Sequence, residues 1–535
     1  MKFFNHSTRA VWLGIYDSGD TLYTLTALPL GARVLVKAET NMTRDEPFAM
    51  RMQVAVWESG ALGSVIAQPR TVYANRDVSF AEDSDGAHIY NGSELPTVID
   101  KIQHVFVLAM ENRSFDHLLG WLYAKENNRP PVNVPPQYEP TYEGLSDLTY
   151  WNTPVASDHD GQIGRVYASR AGPSVFTKPD PNPPEICPRF IEGMFGSESP
   201  AASALPQMTG FIQAYAKRSG GNPDPNGIME CYTSDHVPRL SSIARAFAVC
   251  DGWFASLPCM TYPNRSFLHA GTSFGRLNNN NDKYSEGDWP DVVPNVFAFA
   301  GKETVFDEFD KLEIPFALYT DSQAKVTLLG AQFFTAPQKV ARPFRRVSDL
   351  EDDLSRTDVH QRPWYTFIEP EYLVGANDQH PPLDVRIGDA FIGRVFDIIS
   401  GSPIWKKSMF VLLYDEAGGC FDHVAPPGAV PPDSSPAQFQ VGDIDVFNFY
   451  GPRVPAVVAS PHLAPGTVFR SFGTPYDHTS VLSTLRDMLF PYDNATAFFT
   501  RNARIAIAPT LWDLFSQDAS GQAVAEVAWA YLLGD

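Results

Sequence analysis

Two short apolar runs, His104-Val-Phe-Val-Leu-Ala-Met110 and Met409-Phe-Val-Leu-Leu-Tyr414, each break off into an adjacent acidic or amide pair, Glu111-Asn112 and Asp415-Glu416. Runs this short, bounded by polar residues and without alternation, read as strands covered on both faces, the kind found in parallel sheets. In an open α/β sheet, ligands bind beyond the carboxyl ends of the strands, where these pairs fall. Three carboxylates and one amide oxygen converging there suit a hard divalent cation. Glu111 or Asp415 alone would equally well cap a following helix. The paired occurrence favours a metal site made of Glu111, Asn112, Asp415 and Glu416.

Buried strands of the same character recur at Ile314 to Thr320, Trp364 to Ile368 and Val454 to Ala459, with helical stretches between them. That alternation predicts an α/β domain over residues 98–535, a mostly parallel sheet flanked by helices. Residues 1–97 have a different texture. Segments 10–16, 21–26, 33–37, 48–58 and 65–73 are short and separated by turn signals, and the large aliphatics alternate in Met50-Arg-Met-Gln-Val-Ala-Val-Trp57. One buried sheet face requires such alternation, so a small N-terminal β-sandwich accessory domain is expected. It is either an inert stabilising module or a lipid-, glycan- or partner-binding one. A Pro-, Gly- and Asn-rich stretch at about 125–235 reads as an insertion shaping one wall of the site. Helical spacing of Val524, Val527, Ala528, Tyr531 and Leu532 predicts a terminal helix at about 521–533.

With 41 basic and 62 acidic residues the net charge is −21, which argues against general binding to nucleic acid or to an anionic membrane through charge. No apolar run approaches the roughly 18 residues of a membrane span, and Met1-Lys-Phe-Phe-Asn-His lacks the apolar core of a cleavable signal. The expectation is a cytoplasmic protein, or one exported by a route that needs no such signal. Five cysteines, Cys187, Cys231, Cys250, Cys259 and Cys420, show neither a disulfide framework nor zinc spacing.

Six ordered motifs span roughly residues 100–490. They are Glu111-Asn-Arg-Ser-Phe-Asp-His-Leu-Leu-Gly120, then Cys250-Asp-Gly-Trp-Phe-Ala-Ser-Leu-Pro-Cys-Met-Thr-Tyr-Pro-Asn-Arg265, then His380-Pro-Pro-Leu-Asp-Val385. Tyr414-Asp-Glu-Ala-Gly-Gly-Cys-Phe-Asp-His-Val-Ala-Pro-Pro427, Gly451-Pro-Arg-Val-Pro455 and Tyr476-Asp-His-Thr-Ser480 complete the series. Together they resemble the bacterial phosphoesterase family of non-specific phospholipases C, their plant counterparts and related acid phosphatases. The resemblance implies an alkaline-phosphatase-like fold and metal-dependent hydrolysis of phosphate esters. It also implies Thr261 as the nucleophile that forms a covalent phosphothreonine.

The residue chemistry agrees with that implication. A phosphate ester resists attack because its oxygens are negative and its leaving group is poor, and a cation with positioned donors relieves both. Oxygen ligands accept Ca²⁺, Mg²⁺ or Mn²⁺ by hardness, and Zn²⁺ also takes carboxylates. Asn264 and Arg265 are placed either to orient the phosphoryl oxygens or to bond the loop. Histidines are the natural proton shuttles: His380 is the leading candidate to protonate the leaving group, with His423 and His478 as further catalytic or structural candidates and His117 as structural. One departure stands out. Family members carry a histidine in an Asp-Pro-x-His segment, and here the corresponding stretch is Asp180-Pro-Asn-Pro-Pro-Glu185, leaving Glu185, His159 or His236 as substitutes.

The expected substrate is a phospholipid, cleaved to diacylglycerol or ceramide and a phosphorylated head group, with possible peripheral membrane contact. The alternatives are a phosphomonoesterase using the same site and a weakly active or inactive binding protein.

Overall fold

A computed structural model describes residues 102–517, except 136, 138, 156–163, 219–220, 222–223, 280–298, 300, 323–328, 330–332, 334–343, 357–362, 373, 433–439 and 491–494; of the first 101 residues it describes the backbone of eight strands. The expected strand at 21–26, the expected terminal helix at 521–533 and His159 lie outside the described residues. The chain divides into two compact units. One comprises Met1–Lys101 with Ser483–Arg501 and Pro509–Ala519; the other is built on Ile102–Leu482 with Asn502–Ala508.

In the first unit the eight strands form two four-stranded sheets. One runs Thr40–Thr43, Lys2–Asn5, Val78–Asp83, Gly86–Asn91, and the other Val34–Val36, Val11–Tyr16, Arg51–Trp57, Val65–Tyr73. The alternating stretch identified in the sequence is the strand Arg51–Trp57, paired antiparallel on both sides.

The second unit is built on a nine-stranded sheet. Across it the strands run Val132–Val134, Thr467–Phe469, Ala248–Cys250, Ala456–Ala459, Ser408–Tyr414, His104–Met110, Tyr365–Glu369, Phe316–Thr320 and Arg345–Arg346. Ala456–Ala459 is antiparallel to both neighbours, and every other pairing is parallel. The fold is therefore α/β with a largely parallel sheet. His104–Met110 and Ser408–Tyr414 are its adjacent central strands, buried along their whole length. Burial on both faces explains why neither run alternates. It also sets the cost of disrupting them, since each fully buried Val, Leu or Phe contributes roughly 1.5–3 kcal/mol.

The flanking helix Val385–Gly401 shows how sequence directs the packing. Its buried residues Gly388, Phe391, Ile392, Val395, Phe396 and Ile399 recur at helical spacing, giving one apolar face toward the sheet. Asp384 caps it, accepting from the Arg386 amide at 3.0 Å. A Cβ at Gly388 would lie 2.2 Å from the Gln379 side chain and 2.8 Å from the Asn377 carbonyl. Only glycine lets this helix press on the loop that precedes His380. The proline-rich insertion has an apolar core in which Ile191, Met194, Phe211, Ile212 and Met229 pack with Leu257, Phe267 and Phe421. Among the described residues no helix is long and apolar enough to cross a membrane.

Candidate active site

The parallel pairing brings the carboxyl ends of the two central strands side by side, so Glu111-Asn112 and Asp415-Glu416 meet. Asn112 adopts a left-handed backbone, φ 55°, which asparagine tolerates better than most residues. Its amide donates to Asp415 Oδ1 at 3.3 Å, and its Nδ2 lies 3.4 Å from Thr261 Oγ1. Thr261 is the first residue of the helix Thr261–Ala270, the end at which the helix dipole favours negative charge. Gly418, φ 61°, passes so close beneath that a Cβ would sit 2.1 Å from the Asn112 carbonyl oxygen. The Gly418 amide donates to Glu416 Oε2 at 2.6 Å.

Arg265 is fully buried beneath this cluster. Its Nε meets Asp415 Oδ2 at 2.9 Å, and its terminal nitrogens lie 3.5 Å from Glu369 Oε1 and 3.5 Å from Glu111 Oε1. Arg265 thus acts as an internal counter-ion. Asn264 bonds the loop: its Oδ1 accepts from the Leu257 amide at 2.9 Å, and its Nδ2 donates to the carbonyls of Leu257, Cys259 and Met260 at 3.1, 2.8 and 3.2 Å. Of the two roles open to Asn264 and Arg265 in the sequence, these contacts supply the loop-bonding one.

His380 Nε2 lies 3.3 Å from Glu185 Oε1, and its Nδ1 lies 2.8 Å from the Pro381 carbonyl oxygen. Both ring nitrogens face acceptors, the arrangement of an imidazolium. Burial works to lower its pKa, yet Glu185, aided by Glu111 and Asp378, holds it up at about 10. Glu185 itself is lowered despite its burial, chiefly by His380, with Asn112 and Asn182 as further hydrogen-bonding partners. Of the two candidate substitutes for the family histidine that are described, Glu185 is the one that contacts His380. The two ring nitrogens of His236 are taken up by Thr233 and the Gly172 carbonyl.

His478 and His423 have structural surroundings. His478 Nε2 meets the Asp415 carbonyl oxygen at 2.5 Å while its Nδ1 accepts from Trp253 Nε1 at 3.3 Å, so the ring braces the strand end. His423 Nδ1 pairs with Asp116 Oδ2 at 2.6 Å, and the ring stacks on Tyr150. Arg453 joins this group through Asp116 and Asp422, each at 2.9 Å. His117 packs against Tyr232. Much of the conspicuous Glu111–Gly120 string is likewise scaffold. Arg113 ties together the carbonyls of Gln379, Lys178 and Leu383, and Ser114 caps the next helix.

Sequence reasoning missed Glu369, Asp378 and Tyr372. Glu369 ends the buried strand Tyr365–Glu369, so it repeats the signal that located Glu111 and Asp415. Asp378 accepts from the His380 amide through its side chain at 2.8 Å, and burial raises its pKa to about 6. Tyr372 places its ring over Arg265, 5.5 Å away.

The cluster is short of positive charge. Burial pushes Glu111, Asp415 and Glu416 upward; repulsion by Asp415 adds to it at Glu111, and repulsion by Glu185 and Asp415 adds to it at Glu416. Asn112 Oδ1 and Glu416 Oε1 are buried with no hydrogen-bond partner. Among the described residues no group of three or more His, Cys, Asp or Glu side chains is drawn together into a ready metal centre. What the expected ligands offer is orphaned oxygens among buried carboxylates, a donor set that fits a hard divalent cation.

The model of the phosphoesterase family matches residues 102–489. Non-specific phospholipase C5 of Arabidopsis thaliana is 30% identical over 433 residues, covering 75% of this chain and 75% of its own length. Non-specific phospholipase C3 of the same plant is 29% identical over 423 residues, covering 75% and 71%. Phospholipase C B of Mycobacterium tuberculosis is 27% identical over 451 residues, covering 76% and 77%.

Proposed function

The chain belongs to the phosphoesterase family, and from that premise we propose that it is a phospholipase C-type hydrolase. In this reading it cleaves a phospholipid to diacylglycerol or ceramide and a phosphorylated head group, with Thr261 as nucleophile. The observation that carries the reading is the 3.4 Å approach of Asn112 Nδ2 to Thr261 Oγ1, which sets a hydroxyl at a helix N-terminus beside the side chain whose own oxygen is buried without a partner.

Glu111, Asn112, Asp415 and Glu416 would hold the divalent cation. When bound, it would neutralise phosphate charge and favour the ionised hydroxyl of Thr261. Arg265 keeps the carboxylates from repelling one another apart. Thr261, its proton released to water, attacks phosphorus in line, and the phosphorus–oxygen bond to the lipid alcohol breaks as His380 protonates the departing oxygen. Water then attacks the phosphothreonine, giving a proton back to His380; the phosphorus–oxygen bond to Thr261 breaks, the phosphorylated head group leaves, and the Thr261 oxygen regains from solvent the proton it released in the first step. Splitting one difficult displacement into two lowers each barrier. Residues 1–97 form the accessory domain in this account, a reading supported by the two four-stranded sheets, and residues 98–535 the catalytic domain. Contact with the lipid surface is peripheral.

The test is hydrolysis of phosphatidylcholine and of an aryl phosphomonoester across Ca²⁺, Mg²⁺, Mn²⁺ and Zn²⁺, with Thr261→Ala as control. The diester should be preferred in kcat/KM. Preference for the monoester would make the protein a phosphatase with the same site, and inactivity on both would leave the binding-protein reading.

A further inference from the structure

The segment that joins the strand Tyr365–Glu369 to His380 is a loop closed at its base. The Glu371 amide donates to Asn377 Oδ1 at 2.8 Å, and the Asn377 amide donates back to the Glu371 carbonyl at 2.9 Å. Asn377 Nδ2 donates to Asp321 Oδ2 at 2.8 Å, and Asp321 pairs in turn with Arg394 at 2.6 Å. The base is also tied to the candidate site, since the Asp378 carbonyl accepts from the Glu111 amide at 3.0 Å. Yet this braced loop presents Val374 to solvent, 75% exposed.

The helix Val385–Gly401 begins on the other side of His380 and presses on the same loop at Gly388, against the Gln379 side chain and the Asn377 carbonyl. Its first turn leaves Ile387 50% exposed, outside the buried stripe of Gly388, Phe391 and Ile392. Beside it the Arg386 guanidinium lies over the Phe176 ring at 3.9 Å, and the Phe176 carbonyl accepts from the Val385 amide at 3.0 Å. Exposed apolar residues scattered singly are ordinary. Val374 and Ile387 are not scattered: they stand on two elements in contact, on either side of a histidine whose side chain is a quarter exposed.

The charges of this rim are matched among themselves. Arg386 is paired with Asp384 and Arg394 with Asp321, and the chain as a whole carries −21. An anionic surface therefore gains little from the rim, whereas its apolar groups gain by leaving water.

Resting on the phospholipase reading above, we propose that Val374, Ile387 and the Phe176 ring form the rim by which the catalytic unit sits on a phospholipid bilayer of zwitterionic head groups. Apolar side chains that enter the boundary between head groups and acyl chains reach about 5–10 Å into it. That depth sets His380 and the acidic cluster behind it near the level of the lipid phosphate, so the ester is reached without full extraction of the lipid. Attachment is apolar, so it resists salt, unlike a charge contact.

The test is flotation of the full-length, metal-replete protein with phosphatidylcholine vesicles in low and high salt. Alongside it, hydrolysis of those vesicles is compared with hydrolysis of dihexanoylphosphatidylcholine kept below its micelle concentration. Val374→Ser and Ile387→Ser should each lower vesicle binding by about 10-fold, the effect of one aliphatic side chain withdrawn from burial. On vesicles kcat/KM should fall by the same factor, while the dispersed lipid changes by less than about 2-fold. Trp364→Ser, an exposed apolar residue before the amino end of its strand, should leave vesicle binding unchanged. Melting temperatures should match the parent in Val374→Ser and Ile387→Ser, because neither side chain is packed. The proposal is overturned if the parent does not float, if flotation requires phosphatidylglycerol and is lost in high salt, or if the two substrates lose rate equally. Self-association that Val374→Ser abolishes in sedimentation would also overturn it, making the rim a contact between copies. Failure of the phospholipase reading looks different: the parent floats and the variants do not, while neither form of the lipid is cleaved.

Discussion

Replacing Arg265 by methionine removes a buried cation from among three carboxylates. At an effective dielectric constant of 20, a charge contact at 2.9 Å amounts to about 6 kcal/mol and each contact at 3.5 Å to about 5 kcal/mol, before desolvation. Burying the guanidinium offsets much of that gain. Removing one member of such a group while leaving its partners buried costs about 3–5 kcal/mol. In urea unfolding with chelator present, Arg265→Met should therefore lose about 3–5 kcal/mol, and Arg265→Lys a smaller amount because charge remains without the fork. A divalent cation at saturating concentration should narrow the gap, since it neutralises the same carboxylates, and binding at 100 times Kd is itself worth about 2.7 kcal/mol. A loss below about 1 kcal/mol, or a large fall in kcat/KM at unchanged stability, would refute the counter-ion role and favour Arg265 as a phosphate-binding residue.

Asn264→Ala should cost roughly 1–3 kcal/mol, from the Leu257 amide and the loop carbonyls left without a partner. It should lower kcat as the Thr261 loop slackens, both readable by thermal melting and initial rates. Gly418→Ala, which forces a Cβ against the Asn112 carbonyl at positive φ, should cost at least about 1–3 kcal/mol, and titration calorimetry should show weaker cation binding. The Glu185–His380 pair gives a pH signature. A histidine pKa raised from 6.5 to about 10 contributes stability that is fully present below about pH 6.5 and is lost as pH rises through 10. Glu111 and Asp378 also face this ring electrostatically. In urea midpoints measured between pH 6 and 10, Glu185→Gln should flatten that decline, and an unaltered slope would count against the ion pair.

The sheet was legible because strands buried on both faces leave an unmistakable pattern, and the acids at their ends marked the site. The same logic applied to Tyr365–Glu369 would have located Glu369, which the earlier strand boundary at Ile368 cut off. Thr261 and His380 needed the motif resemblance, since an isolated threonine or histidine carries no local signal. What motifs could not separate was function from scaffold. Asn264, Arg265, His423 and His478 stand in the motifs beside the proposed reacting groups, yet their contacts are with carbonyls, carboxylates and an indole of the interior. Spacing along a chain records that a residue is required, not which way its side chain turns. Glu185 shows the converse: a departure from the motif was visible in sequence, while its partner, His380, became evident only when residues far apart in the chain were brought together.

The central claim is that Thr261 carries the phosphoryl group. The most direct measurement is rapid acid quenching of the metal-replete protein during turnover of a choline phosphodiester, followed by peptide mass spectrometry. The account predicts a phosphocholine adduct on Thr261, and loss of both adduct and turnover, the latter by more than about 10³-fold, in Thr261→Ala. Turnover by Thr261→Ala within about 10-fold of the parent would contradict it.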